Sequence, residues 1–261
     1  MTSPPPNAAK LPLVFDPAGL QADLARLGSA EWVAHFNTGF FSGDWSGAAL
    51  RSVGGKDGAI YADTSHGDFA NTALLQQCRH LQAVIESFQC PLRSVRLLRL
   101  TAGSIIREHR DYDLGYDAGE VRLHVPVITN PQVEFYLNNR RIRMAEGECW
   151  YLDLNQPHRV QNRGMTDRVH LVIDCQLNDW LRDLISQGEA SAGEESSYEA
   201  FHRQVLQEPA LQEELIGVTD QPAFISRILE LATQRGFNFI EEDVTAALQS
   251  ARRSWMERNI L

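Results

Sequence analysis

His109-Arg110-Asp111 is followed by His158 forty-seven residues past the aspartate and by Arg168 ten residues after that. Two imidazoles and one carboxylate suit a divalent iron held by three ligands, with the opposite positions left open. An arginine beyond the second histidine would anchor a dicarboxylate co-substrate beside such an ion. The chemistry these parts would support is oxygenation. Fe(II) would take 2-oxoglutarate through its keto oxygen and adjacent carboxylate, and O2 at the remaining site.

The HxD pair can serve one ion because residues i and i+2 of a strand project to one face. A distal histidine from a neighbouring strand would complete the set. In Arg168-Val169-His170-Leu171-Val172-Ile173-Asp174-Cys175 the odd positions are apolar, so Arg168 and His170 share the other face. Arg122 and His124 share a face in the same way. Polar residues projecting in pairs from two strands fit a polar cavity better than a simple core.

Each residue alone has a plainer reading. With eight histidines in the chain, one HxD triplet arises readily by chance. His158 follows the turn-like Asn155-Gln156-Pro157 and alone reads as a surface-loop histidine. Arg168 alone reads as a salt-bridged strand residue, and His170 as a structural one. Order, spacing and strand context together make the set specific.

The elements that must position these residues read as mainly β. Residues 94–100, 120–128, 133–137, 140–144, 149–154 and 168–175 alternate and are separated by breaks rich in Gly, Pro, Asn and Asp. Such a meander predicts a double-sheet jelly roll or open barrel. Flanking helices are predicted after Asp16-Pro17, over 74–88 and from Trp180. Trp32 to Tyr61 reads as short strands and turns. The Pro-rich residues 1–10 read as disordered, 11–185 as the catalytic domain, 186–197 as a polar linker, and 198–261 as a small all-α module. Glu208-Pro209, Asp220-Gln221-Pro222 and Glu241-Glu242-Asp243 mark its helix starts.

Composition narrows the partners. A formal charge of −10 argues against nonspecific binding to nucleic acid or an anionic membrane surface. No run approaches eighteen apolar residues, and no basic-then-apolar leader opens the chain, so the expectation is a cytoplasmic protein. The four cysteines lack metal spacing; Cys149 and Cys175 read as small buried hydrophobes.

The stretches HRDYDLG (109–115), RLHVPVITNP (122–131), GECWYLDLNQPHRVQN (147–162) and RVHLVIDC (168–175) resemble the aspartyl/asparaginyl β-hydroxylase family over roughly residues 30–180. The resemblance implies a 2-oxoglutarate-dependent dioxygenase on a double-stranded β-helix of cupin type. It implies His109, Asp111 and His158 as iron ligands and Arg168 as the clamp on 2-oxoglutarate. His124 would be a second co-substrate contact, and Arg122 a cation near the co-substrate and the substrate carboxylate. Asp111 aligns the chain with bacterial members that keep the carboxylate, free L-proline cis-hydroxylases among them, and not with the animal peptide hydroxylases that lack it. The tail, FHRQVLQEPALQEEL (201–215) and DQPAFISRILELATQRGFNFIEEDV (220–244), resembles the nitrogen-fixation-associated leader family. That implies precursor-peptide docking or self-association through 198–261; a generic helical cap is the plainer alternative.

The leading expectation is β-hydroxylation of Asp or Asn in a peptide, such as a ribosomal natural-product precursor. A free amino-acid hydroxylase of L-proline type is the alternative. A non-catalytic ligand- or peptide-binding cupin-like protein is the alternative of another class. Arg110, Arg99, Ser65 and His66 are left open as pocket residues.

Overall fold

The computed structural model describes residues 5–61, 67–112 and 114–260, so Ser65 and His66 lie outside the described residues. The chain divides into two compact units, residues 1–138 with 142–193, and residues 139–141 with 194–261.

The strands of the first unit are β1 (Ala8–Val14), β2 (Val33–Ala34), β3 (Phe41–Ser42), β4 (Trp45–Val53), β5 (Phe69–Asn71), β6 (Leu92–Leu100), β7 (Ile105–His109), β8 (Glu120–Ile128) and β9 (Val133–Leu137). After β10 (Arg140–Ile142) come β11 (Glu148–Leu152), β12 (His158–Asn162), β13 (Arg168–Gln176) and β14 (Glu189–Ala190). The larger sheet runs β14-β1-β11-β8-β13-β6-β4-β2, and β9, β12, β7 and β3 are consecutive in the second. This two-sheet antiparallel arrangement is the expected jelly roll.

Period-two alternation gives the larger sheet two different faces. Val121, Leu123 and Val125 of β8 and Val169, Leu171 and Ile173 of β13 are fully or almost fully buried on one side. They join Leu20, Leu81, Ile85 and Leu181 of the flanking helices α1 (Pro17–Leu24), α2 (Arg79–Glu86) and α3 (Asp179–Ser186) in one core. The other face contributes Leu98, Leu100, Trp150 and Val172 to a second core, with Ile106, Phe135, Leu137 and Val160 from the smaller sheet. The polar residues Arg122, His124, Arg168 and His170 belong to this inner face and are nevertheless buried.

Several local expectations change. Residues 8–10 are strand, not disorder: Ala8, Ala9 and Lys10 pair with Leu152, Tyr151 and Trp150. The small side chains of Ala8 and Ala9 fit with no exposure, and the unpaired edge of β11 supplies the hydrogen bonds. The helix predicted over 74–88 is interrupted. A 3-10 turn (Leu75–Gln77) precedes α2, because the buried Asp23 carboxylate accepts from the backbone N–H of His80 and Leu81, at 2.7 and 2.9 Å, and starts a new helix there. Trp45–Val53, read as part of a turn-rich stretch, is a nine-residue strand buried through Leu50. The segment read as a linker carries β14, paired to β1, and β15 (Glu194–Glu195), paired to Arg140 and Arg141.

Among the described residues the second unit holds four helices, α4 (Ser197–Gln207), α5 (Pro209–Ile216), α6 (Gln221–Gln234) and α7 (Glu241–Asn259). Ser196 and Glu199 form a capping box at α4, and Asp220 caps α6 through Ala223 N–H. Phe201, Leu211, Leu215, Ile228 and Val244 form its core. A groove of about 570 Å3 among Val205, Leu206, Ile216, Phe224 and Leu248 leaves Leu206 and Ile216 exposed. Among the described residues, no helix is long and apolar enough to cross a membrane.

Leu123 sits fully buried between the larger sheet and the helices. Leu123→Ala is therefore expected to cost about 2–5 kcal/mol, read as a lowered urea midpoint of the first unit. A loss below about 1 kcal/mol would contradict that packing.

Candidate metal centre

His109 closes β7 and His158 opens β12, and the two are antiparallel partners. Their ring centroids lie 4.2 Å apart. Simple alternation would not bring this about. Ile106 faces the core between the sheets, and His109, three residues on, would point the other way in a regular strand. Between these pairs the register slips, two residues of β12 (His158 to Val160) spanning three of β7 (His109 to Ile106). This extra residue is a β-bulge that turns His109 back to the side of Ile106, where both line one cavity.

Asp111 lies past the end of β7, its backbone N–H held by the Leu154 carbonyl at 2.9 Å. The reading of an HxD pair from regular strand geometry is thus replaced by a bulge and a loop. The convergence is the same. One ligand atom from each of His109, Asp111 and His158 lies within 4.8 Å of the others.

Both imidazoles are oriented in the same way. His109 Nδ1 lies 2.8 Å from the Arg107 carbonyl and His158 Nδ1 3.1 Å from the Gln156 carbonyl. A carbonyl only accepts, so each Nδ1 carries the proton and each Nε2 offers a lone pair. Burial, with His109 nearby, pulls the His158 imidazole down to about 4. Burial alone would raise the Asp111 carboxyl, but Arg122, His158 and His109 outweigh it and leave it below the usual carboxylate range. Two oriented imidazoles and an ionised carboxylate fit a facial site for a divalent metal such as Fe(II).

The cavity, about 400 Å3, also takes in Arg96, Arg110, Arg122, His124 and Arg168. Arg168 is buried, donates from Nη2 to His170 Nδ1 at 2.7 Å, and has no carboxylate partner among the described residues. Among the described residues its Nε is buried without a hydrogen-bond partner, as are His124 Nε2 and Trp45 Nε1 on the same cavity. Burial pulls the Arg168 guanidinium down to about 9. An uncompensated buried cation with a free donor beside it fits an anionic ligand such as a dicarboxylate. His124 is 3.3 Å from His170, between Nδ1 atoms, so one imidazole links it to Arg168.

Arg122 lines the cavity where a co-substrate contact was expected, and it is also engaged by protein carboxylates. Its Nη1 meets Asp111, and its Nε and Nη2 meet Asp174. Arg110 lines the cavity, and no hydrogen bond or ion pair engages its side chain among the described residues. Arg99 does not line it; its guanidinium stacks 4.4 Å over the Trp32 ring. Sequence reasoning passed over Asp174 and Arg96. Asp174 shares the even face of β13 with Arg168 and His170, and Arg96 shares a face of β6 with Leu98 and Leu100. Alternation alone would have found both.

A β-sandwich carrying two histidines and one carboxylate at a cavity defines a metal-binding jelly-roll protein. Residues 27–177 match the aspartyl/asparaginyl beta-hydroxylase family, and with more than half of the chain matched the protein belongs to that family. L-proline cis-4-hydroxylase of Rhizobium meliloti (strain 1021) is 30% identical over 164 residues, which are 62% of this chain and 58% of that protein. The chain thus spans under two thirds of the length of this curated relative. A 2OG-Fe(II) oxygenase family oxidoreductase from Burkholderia pseudomallei matches with a TM-score of 0.42 and 16% identity, over 62% of this chain and 79% of that one. HygX from Streptomyces hygroscopicus, solved with nickel and 2-oxoglutarate bound, gives 0.39 and 15%, over 67% and 84%.

A buried cation without a countercharge costs stability. Arg168→Met is expected to leave the melting temperature of metal-free protein unchanged or raised. A fall of more than about 4 °C, roughly 1 kcal/mol for a unit of this size, would contradict the unpaired state of Arg168.

Proposed function

We propose that the protein is an Fe(II)/2-oxoglutarate-dependent dioxygenase that hydroxylates an unactivated carbon of a free amino acid of L-proline type. The observation that carries the reading is one cavity holding both the His109, Asp111 and His158 donors and the uncompensated Arg168. Family membership and the proline hydroxylase relative support it.

His109 and His158 would hold Fe(II) through Nε2 and Asp111 through one carboxylate oxygen. The ion, bound with 2-oxoglutarate and O2, supplies oxidation of a C–H bond coupled to decarboxylation of the ketoacid to succinate. Arg168 binds the distal carboxylate of the co-substrate with the fork of its guanidinium, and His124 stands beside it. Arg110, with no carboxylate partner among the described residues, would hold the substrate carboxylate at the mouth. Phe40 and Trp45 line the wall against which an apolar ring packs.

A second reading, β-hydroxylation of Asp or Asn within a peptide, is favoured by a specific feature. Four aromatics at the cavity, Phe36, Phe40, Tyr61 and Tyr112, are exposed, as a surface meeting a longer chain would be. In that case the apolar groove of the helical unit would take a hydrophobic stretch of the same peptide.

With Fe(II), ascorbate and 2-oxoglutarate, free L-proline is expected to raise succinate formation at least tenfold over the substrate-free rate, with a +16 Da product. His158→Ala is expected to abolish both. Stimulation by an Asp-containing peptide and not by proline would transfer the assignment to the second reading; no succinate under any condition would leave a binding protein. Arg110→Gln is expected to raise the KM for proline by tenfold or more and leave that for 2-oxoglutarate within about twofold, since charge-assisted bonds contribute about 1.5–3 kcal/mol. An unchanged proline KM would remove Arg110 from the substrate site.

A further inference from the structure

Behind the donors lies a layer of buried charge that the proposed reaction does not use. Asp174 and Arg122 are cross-strand partners on β13 and β8, and Arg96 stands on β6, the other neighbour of β13. Arg122 donates from Nε to Asp174 Oδ1 at 2.6 Å and from Nη2 to Oδ2 at 3.1 Å. Arg96 Nη1 donates to Asp174 Oδ2 at 2.8 Å. The Asp174 side chain is only 1% exposed and is held by these two guanidinium groups. Fixed at two nitrogens, Arg122 has Nη1 left, and that nitrogen meets Asp111 Oδ2.

The two oxygens of Asp111 are therefore unequal. Oδ2 is engaged by Arg122, while Oδ1 is the oxygen 3.7 Å from His109 Nε2. A carboxylate beyond the end of its strand, on a side chain with two free torsions, needs such a restraint to meet a metal in one way. Attachment through one oxygen also matters chemically. A carboxylate bound through both would occupy a position that a ketoacid or O2 requires.

We propose that Asp174 is a positioning residue of the metal centre: gripped by Arg96, it locks the Arg122 guanidinium against Asp111 Oδ2, so that Asp111 binds metal through Oδ1 alone. The inference rests on reading His109, Asp111 and His158 as metal ligands. It also gives Arg122 a role toward the metal, beside its place in the cavity lining. Two arginines and two aspartates make the array electrically neutral, which accounts for so much charge lying inside a sandwich.

The test uses the whole chain and Co(II) alone, without 2-oxoglutarate, followed by calorimetric titration and the visible d–d spectrum. Arg122→Gln leaves the Arg96–Asp174 pair balanced and is expected to weaken Co(II) binding about 10–100-fold, with an altered spectrum and an unchanged fold by circular dichroism. Asp174→Asn is expected to weaken it as well. Because both act along one path, the double variant should bind within about threefold of Arg122→Gln. If Asp174→Asn does not fold, Arg122→Gln decides alone. Arg122→Gln binding Co(II) within threefold of wild type, with an unchanged spectrum, overturns the inference, as does full additivity in the double variant. Wild-type protein that binds no Co(II), or binds it equally well with His158→Ala, defeats instead the ligand reading beneath it.

Discussion

The antiparallel pairing of β7 with β12 is the interaction on which the site depends. It sets His109 opposite His158, with ring centroids 4.2 Å apart, and so delivers two of three donors with one backbone ladder. A regular ladder would have failed. The bulge between Ile106 and His109 shifts the parity of β7 and turns the imidazole inward while the apolar side chain before it stays in the core. Backbone carbonyls two residues before each histidine then fix the proton on Nδ1 and leave Nε2 for the metal.

Charge explains the rest of the interior. A sandwich core normally excludes ions, yet Arg96, Arg122, Arg168 and Asp174 are each at most 8% exposed. Arg96 and Arg122 are matched by Asp174 and Asp111. Arg168 is matched by nothing among the described residues and remains as an excess positive charge. The protein therefore sustains at Arg168 a local cost that an anionic ligand would offset, as a site built for a dicarboxylate requires. Burial that depresses His124 well below its ordinary value follows from the same surroundings, desolvation first and Arg168 and Arg122 next.

Much of this was legible in the sequence where period-two alternation operates. Val169, Leu171 and Ile173 against Arg168 and His170, and Leu123 and Val125 against Arg122 and His124, fall on the faces that the pattern assigns them. Turn chemistry was equally plain at Asp16-Pro17 and Asp220-Gln221-Pro222, where short side chains cap the helices that follow. What the pattern could not carry depends on contacts distant in sequence. The bulge in β7 exists only relative to β12. The break at Cys78 comes from Asp23 on another helix, and the strand at Ala8 from an open edge of β11. Alternation placed Arg122 on the cavity face, whereas its carboxylate partners come only from the folded chain. Asp174 sits six residues beyond Arg168 on the same face, and pairing between strands supplies its two arginines.

Anomalous diffraction at the iron edge, from crystals grown anaerobically with Fe(II), tests the central claim most directly. The account predicts one iron per chain, bound by His109 Nε2, His158 Nε2 and a single oxygen of Asp111, with the remaining positions turned toward Arg168. Iron bound elsewhere, or an ordered cavity in which these three side chains stay apart in the presence of the metal, would contradict it.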